Sequence, residues 1–273
     1  MKFGFVLPGG SATEQLDQAT LAENAGWDGV FVWEGAYGVD AWALLSAMAM
    51  RTSTIALGTM LTPLPWRRPW KVASQAATLD ELSDGRAILA VGLGWADSGI
   101  GDRRDATDRA ARARLLDEGL DVIDALWRGE LQHHGPRYEL DITPGHVLDA
   151  APTRPRVPIW VVGAWPRPKS MRRVLRCDGI LPVVSVPGGD SPLSTTDVRD
   201  IAVWLAEHGK HSHEIVVEGA TSSRDAPSAR AAVTPWAEAG ATWWLDARWK
   251  LPHHSDERMQ QVRRRLQAGP PSL

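Results

Sequence analysis

The sequence has little of several things, and each shortage excludes something. One cysteine, Cys177, among 273 residues rules out an internal disulfide and a thiolate metal cage, and suits a reducing compartment. Net charge is small: 30 Lys and Arg against 33 Asp and Glu give −3. The field that drives nonspecific binding to nucleic acid or anionic membrane is therefore missing. Apolar runs stop far below the ~20 residues that span a bilayer. The first of them, residues 3–7, is broken by Gly4 and is shorter than the roughly 7–15 residues of a secretory core. The expectation is a soluble, cytoplasmic protein with no nucleic-acid and no membrane partner. Histidine does not occur before position 133, and there are only 3 Phe and 2 Tyr, yet 14 Trp. Indoles bury a large apolar area and want a partner for their N–H. Composition alone leaves open whether they fill a core or line a pocket.

What is present is an alternation of short apolar runs with amphipathic ones. Residues 2–7, 29–33, 54–60, 87–92, 157–163, 178–183, 214–219 and 241–246 read as strands. They are rich in Val, Ile, Leu or Trp, as parallel strands covered on both faces should be. Helical patterns occupy 13–25, 41–51, 69–82, 108–126, 168–176, 195–208, 227–239 and 255–267, with Gly26 and Gly240 as stop signals. Eight strands alternating with eight helices is the arithmetic of a (β/α)8 barrel, typically ~250 residues long, here a single domain over 1–273. One extra segment, 131–138, reads as a small hairpin with a Gly135-Pro136 turn between strands four and five. The rival architecture, a doubly wound open sheet, lacks a Gly-rich dinucleotide turn after strand one. Gly92-Leu93-Gly94 has no third glycine and reads as a strand-end turn.

In such a barrel the active site forms at the carboxyl ends of the strands. That inventory is apolar and aromatic: Leu7, Trp33, Trp66, Trp95 and Trp249 are the candidate substrate-pocket residues. Glu34, Asp97, Glu218 and Asp246 are too scattered for a metal hydrolase, which needs convergent ligands, and no Gly-x-Ser-x-Gly nucleophile turn occurs. No metal site is expected. A wide apolar mouth with small residues suits a large planar ligand such as a flavin, which would carry the chemistry while the protein positions it. Gly163, Ala164 and Trp165, followed by Arg167, Lys169, Ser170, Arg172 and Arg173, make either an anion site at a helix start or a solvated basic face. Arg67 and Arg68, between Trp66 and Trp70, could grip an acidic cofactor tail or be ordinary surface.

The run from Asp40-Ala41-Trp42 through Thr52, then Ile55-Ala56-Leu57-Gly58-Thr59-Met60-Leu61-Thr62-Pro63, resembles the bacterial luciferase-like flavin-dependent oxidoreductases. So do Thr78-Leu79-Asp80-Glu81-Leu82-Ser83-Asp84-Gly85-Arg86, Val91-Gly92-Leu93-Gly94-Trp95 and Arg156-Val157-Pro158-Ile159-Trp160-Val161-Val162-Gly163. The resemblance covers nearly the whole chain. It implies a (β/α)8 barrel that binds reduced FMN or coenzyme F420 and acts as an oxidoreductase or monooxygenase on a small, largely apolar substrate. It implies Thr59 and Met60, with a non-proline cis peptide there, beside the isoalloxazine ring, and Gly92, Leu93 and Gly94 at the ring edge. Gly163, Ala164, Trp165, Arg167 and Lys169 would hold the phosphate. It further implies a structural role for the His133–His134 pair, a homodimer through the helices after strands two and three, and, for the monooxygenases, a separate flavin reductase. One departure stands out: relatives often carry an acid-His pair after strand two, and here Glu34 is followed by Gly35. Glu34 and Tyr37 are then the candidate catalytic residues, with the His253-His254 pair as another substitute. The other readings are a degenerate barrel that binds flavin without turnover and a metal-dependent barrel hydrolase.

Overall fold

The computed structural model describes residues 1–94, 108–146, 151–187, 189–249 and 256–273. Its barrel strands are β1 (Lys2–Val6), β2 (Gly29–Val32), β3 (Ala56–Thr59), β4 (Ala87–Gly92), β5 (Ile159–Trp165), β6 (Gly179–Val186), β7 (Glu214–Gly219) and β8 (Trp243–Asp246). Each pairs in parallel with the next, and β8 pairs with β1, as in Phe3↔Trp244, so the sheet closes. The outer layer is α1 (Ala12–Asn24), α2 (Ala41–Ala49), α3 (Pro69–Leu82), α4 (Arg109–Trp127), α5 (Pro168–Val174), α6 (Thr195–Glu207), α7 (Ala226–Glu238) and α8 (Asp256–Gln267). The (β/α)8 barrel expected from the periodicity is what forms.

Helix starts follow local chemistry. Ser11 and Glu14 make a reciprocal capping box at α1, Ser194 and Asp197 another at α6, and Asp40 caps α2 through the Ala43 N–H. Each cap accepts backbone N–H groups that the first helical turn leaves without an internal partner. Strand three is shorter than its apolar run suggests. The N–H groups of Ser53, Thr54 and Ile55 donate to Glu23 Oε1 at 2.8, 2.6 and 3.1 Å, so they are unavailable to a ladder. Strand six is longer, because Gly189–Ser191 folds back antiparallel on Val184–Val186.

Side chains alternate across the closed sheet and divide the interior in two. The outer core, between strands and helices, holds Phe3, Phe5, Leu7, Leu57, Leu89, Val161, Ile180, Val217 and Trp244 among others. The inner core holds Val6, Phe31, Met60, Ile88, Ala90, Trp160, Leu181, Val216, Trp243 and Leu245. Phe31 stacks on Trp160 at 5.2 Å between centroids and meets Trp243 edge-on at 5.9 Å. Two indoles thus plug the barrel, and close packing of large rings demands small neighbours. Gly58 is one: a Cβ there would lie 2.7 Å from the Ile88 carbonyl oxygen and 2.9 Å from the Phe31 ring.

Between β4 and β5 the expected extra hairpin forms, with Gln132–His134 antiparallel to Glu139–Asp141, so its second strand lies beyond the segment 131–138 that the sequence suggests. Glu118 of α4 ties it down by accepting the Arg137 and Tyr138 N–H groups at 3.0 and 2.7 Å. His133 approaches the same carboxylate at 3.4 Å, and His134 pairs with Glu139 at 2.9 Å. His133 thus helps dock the hairpin on α4, and His134 is engaged within the hairpin itself.

Candidate active site

Inner-face residues lose their burial towards the carboxyl ends of the strands, which locates the mouth. Leu61, Val162 and Val183 are half-buried, one step above the closed plug. Met60 belongs to the inner core and Gly92 faces it, its Cα hydrogen aimed at Leu61 and Val162. Ala164 lies on the same inner face as Val162 and is buried. Trp33, two residues past Phe31, is 51% exposed, and Trp249, two past Ala247, is 43% exposed. The Met60–Leu61 peptide is cis, one bond beyond Thr59–Met60, and Trp165–Pro166 is a cis X-Pro bond.

Several expected site residues are elsewhere, because strand parity turns them outward. Leu7 is 1% exposed in the outer core with Phe3 and Phe5, so it lines no substrate pocket. Trp165 packs into the helical layer, edge-on to Trp204 at 6.2 Å. Leu93 packs against the same layer. A Cβ on Gly163 would meet Ile180 and Val174 at 2.5–2.8 Å, so that glycine admits the β6 and α5 side chains rather than a ligand. Gly94 has φ +69°, open to glycine without strain, and Trp66 lies across it, 2.8 Å from where a Cβ would stand. Trp95, Asp97, His253 and His254 lie outside the described residues.

Glu34 sits at the centre of a closed polar cluster. Its Oε2 accepts from Thr62 Oγ1 at 2.7 Å and Trp42 Nε1 at 3.2 Å, and its Oε1 pairs with Arg67. Thr62 Oγ1 also reaches Thr59 Oγ1 at 3.1 Å, and Thr59 donates to the Ala90 carbonyl at 3.1 Å. Glu34 and Thr59 are buried, and Arg67 is further held by Gln75 at 2.7 Å. Three donors converge on this carboxylate, so the cluster ties it to the end of β3. Tyr37 is 96% exposed, and among the described residues nothing holds its hydroxyl near Glu34. The expected catalytic pair is not assembled.

The basic candidates separate as well. Arg173 donates to Asp117 of α4 at 2.6 Å, Arg68 lies over the Trp70 ring at 5.6 Å, and Arg67 serves Glu34. Arg167 and Lys169 remain exposed at the start of α5. Arg167 Nε donates to Ser185 Oγ at 2.6 Å, and Ser170 Oγ accepts the Ala164 N–H at 2.9 Å. Ser185 follows Val183 on the inner face, so this pair brings one guanidinium to the rim between β5 and β6.

One residue at the mouth was visible in sequence only as a scattered acid. Glu218 follows Val216 on the inner face of β7, and its Oε2 accepts from Trp249 Nε1 at 2.7 Å. The residue is exposed, yet desolvation by the surrounding protein raises its pKa above the ordinary value, with the indole N–H acting the other way. The nearby Asp246 faces outward, buried with Arg248 at 3.1 Å and Arg265 at 3.3 Å. A separate open cavity of ≈ 490 Å³ lies at the amino end of the barrel, lined by Lys2, Arg86, Arg154, Asp178 and others. It is on the face opposite the mouth.

Fold and mouth together define a (β/α)8 barrel whose carboxyl face is apolar and aromatic, with one carboxyl facing inward among the described residues. The chain belongs to the luciferase-like monooxygenase family, whose profile matches residues 1–269. It is similar to a Mycobacterium tuberculosis protein named as a putative coenzyme F420-dependent oxidoreductase, at 33% identity over 207 residues, 68% of this chain and 56% of that one. The chain thus matches little more than half the length of that relative. Among solved structures, it resembles an F420-dependent secondary alcohol dehydrogenase holding an F420–acetone adduct. The TM-score is 0.67 at 20% identity, covering 99% of this chain and 91% of the other. It also resembles the oxygenating constituent of 3,6-diketocamphane monooxygenase from Pseudomonas putida, in complex with FMN. There the TM-score is 0.65 at 21% identity, covering 85% and 70%. These structural likenesses establish the shared fold.

Proposed function

We propose that this chain is a flavin-dependent oxidoreductase that takes reduced FMN or coenzyme F420 at the barrel mouth and acts on a small, largely apolar organic substrate. The observation that carries the reading is the mouth's construction: an apolar floor of Met60, Leu61 and Val162, the last two packed close over Gly92, with the small Ala164 beside it and flanking indoles from Trp33 and Trp249. A planar tricyclic ring gains from just such surfaces, through area burial and stacking. The small residue at 92 is required there, since a Cβ would stand 2.9 Å from Leu61 Cδ2 and 3.1 Å from Val162 Cγ2.

In this reading Met60, Leu61 and Gly92 face the ring, Ala164 leaves space for the chain, and Arg167 and Lys169 hold the phosphate. Thr59, Leu93, Gly163 and Trp165 support these positions from the outer side. Once bound, the cofactor supplies reducing equivalents, or in the FMN case activates O2. The protein's part is to exclude water with Trp33, Trp66 and Trp249 and to hold the end of β3 through the Glu34 cluster. Glu34 is a positioning residue here, not the proton-transfer group. Relatives named for F420 chemistry and for FMN-linked oxygenation support both cofactors.

The finer features belong to the same proposal: a cytoplasmic homodimer, with a separate reductase if the cofactor is FMN. No helix among the described residues is long and apolar enough to cross a membrane. Helix α2 leaves Ala43, Ala47 and Met50 exposed in an i, i+4, i+7 row, an apolar stripe where a second copy can pack. Sedimentation velocity on the full chain reads the oligomer directly.

The test of function is a fluorescence titration of the full chain with F420 and, anaerobically, with reduced FMN. Saturable binding of one of them at micromolar concentration is expected, and no binding of either would overturn the reading. A second reading, flavin binding without turnover, has Gly35 and the fully engaged Glu34 in its favour. It predicts the same titration and no oxidation of bound reduced cofactor by any carbonyl or by O2 beyond the free rate.

A further inference from the structure

We propose that Glu218 is the proton-holding group of the mouth, exchanging a proton with the substrate oxygen at Oε1 and so filling the role left open by the missing histidine after β2. The proposal rests on the cofactor-binding reading above. Three observations of geometry carry it. Glu218 shares the inner face of β7 with Val216, one layer above the plug, where Val216 is 1% exposed and Glu218 is open to solvent. Its Oε2 is fixed by Trp249 Nε1 at 2.7 Å, which orients the carboxyl; among the described residues nothing bonds to Oε1, so it is the oxygen a ligand would meet. Glu34, the sequence's first candidate, is already committed to Thr62, Trp42 and Arg67.

Among the described residues, the charged groups on the β8 side point away from it. On β8 and just beyond, Asp246 and Arg248 pair with each other on the outer side, where Arg265 of α8 joins them. On the β6 side, Arg167 is bound to Ser185. The position therefore favours the neutral acid: the surrounding protein raises the pKa of Glu218, and the Trp249 N–H partly opposes this. A carboxyl whose pKa is raised keeps its proton to higher pH than a free one, and in that form it can act as an acid.

The chemistry balances simply. Reduction of a carbonyl needs a hydride at carbon, which the bound cofactor would supply, and a proton at oxygen. Glu218 Oε1–H gives that proton, the O–H bond of the acid breaks as that of the alcohol forms, and the carboxylate left behind is reprotonated from solvent. Oxidation of an alcohol uses the same atoms in reverse, the carboxylate taking the hydroxyl proton.

The experiment is a pH titration of the full chain without cofactor, followed by infrared and indole fluorescence. The carboxylic acid C=O band that Glu218→Gln removes is the signal to follow. Gln keeps an oxygen for Trp249, so the pair's geometry survives while the proton does not. The expected midpoint lies above the ordinary carboxylate value of about 4.3, and it moves when the chain is saturated with reduced FMN or F420. Trp249→Phe provides an independent check should the Gln variant fail to fold: without the indole N–H, the midpoint rises further. A midpoint in the ordinary range, or one indifferent to a cofactor that demonstrably binds, overturns the assignment and leaves the cofactor reading standing. Failure of both cofactors to bind overturns the two together.

Discussion

Replacing Glu34 separates a structural carboxylate from a catalytic one. Glu34 is 8% exposed and accepts from Thr62, Trp42 and Arg67, whose own side chain is 24% exposed. Glu34→Ala strands a guanidinium, an indole N–H and a hydroxyl in a largely dry site. Breaking a buried pair from one side costs about 3–5 kcal/mol; partial access of water to Arg67 puts the expectation at the lower end, about 3 kcal/mol. Unfolding entropy of roughly 2.1 cal/mol/K per residue, over a chain of this length, converts that into a fall in Tm of about 5 °C. Glu34→Gln keeps an acceptor but loses the charge, and should cost about 1.5–3 kcal/mol. Because Arg67→Ala removes the same contact, the double variant should fall short of the sum of the singles by at least about 1 kcal/mol. Urea and thermal melts of the four proteins measure all this, with a cofactor titration of each alongside. If Glu34→Gln abolished turnover while its melting curve overlaid that of the wild type, the structural assignment would be wrong.

Other consequences are as specific. Burial, followed by the repulsion of Lys210, pushes the His213 imidazole down to about 4. The unfolded chain, with an ordinary pKa near 6.5, therefore binds the proton more readily, so stability is level above that pH and falls as pH drops from about 6.5 towards 4. The gap corresponds to a loss of about 3 kcal/mol at most, and His213→Gln should flatten that limb in a Tm-against-pH series; a limb that persists unchanged would assign it to other groups. Cys177 is 3% exposed and its thiol is pushed up to about 12 by burial, so a thiol reagent at neutral pH should label it only at the rate of unfolding. Rapid labelling of the folded protein would contradict the packing around α5. Gly58→Ala should destabilise by about 1–3 kcal/mol, because the added methyl meets the Ile88 carbonyl as well as the Phe31 ring and the backbone cannot rotate away. Denaturant midpoints decide it, and a neutral result would show that the plug is looser than its ring contacts imply.

The barrel was legible because its signals are local. Alternating runs with Gly26 and Gly240 as stops define the repeating unit, and strands of that composition need cover on both faces. The mouth was legible only in part. Trp33, Met60, Gly92 and Trp249 fall where the strand ends place them, but position along the chain alone does not give parity, and Leu7, Trp165 and Gly163 face outward. A one-residue step reverses the face of a strand, and the absolute parity of a barrel strand is set by its partners. An inward Phe31 beside inward Trp160 and Trp243 fixes that phase. Had Glu218 been paired in phase with Val216, the sequence could have nominated it.

The amino-acid sequence by itself determined the order of elements, the helix caps, the hairpin at Gly135-Pro136 and the poverty of ionisable groups near the strand ends. Those follow from periodicity and nearest-neighbour chemistry, which act over a few residues. Tertiary structure alone decided which acids are spent and which remain. Glu34 is consumed by Arg67, 33 positions away, while Glu218 is aimed inward by a strand register and met by Trp249, 31 positions away. A carboxyl's role depends on what closes around it, and those groups come together only when the sheet does.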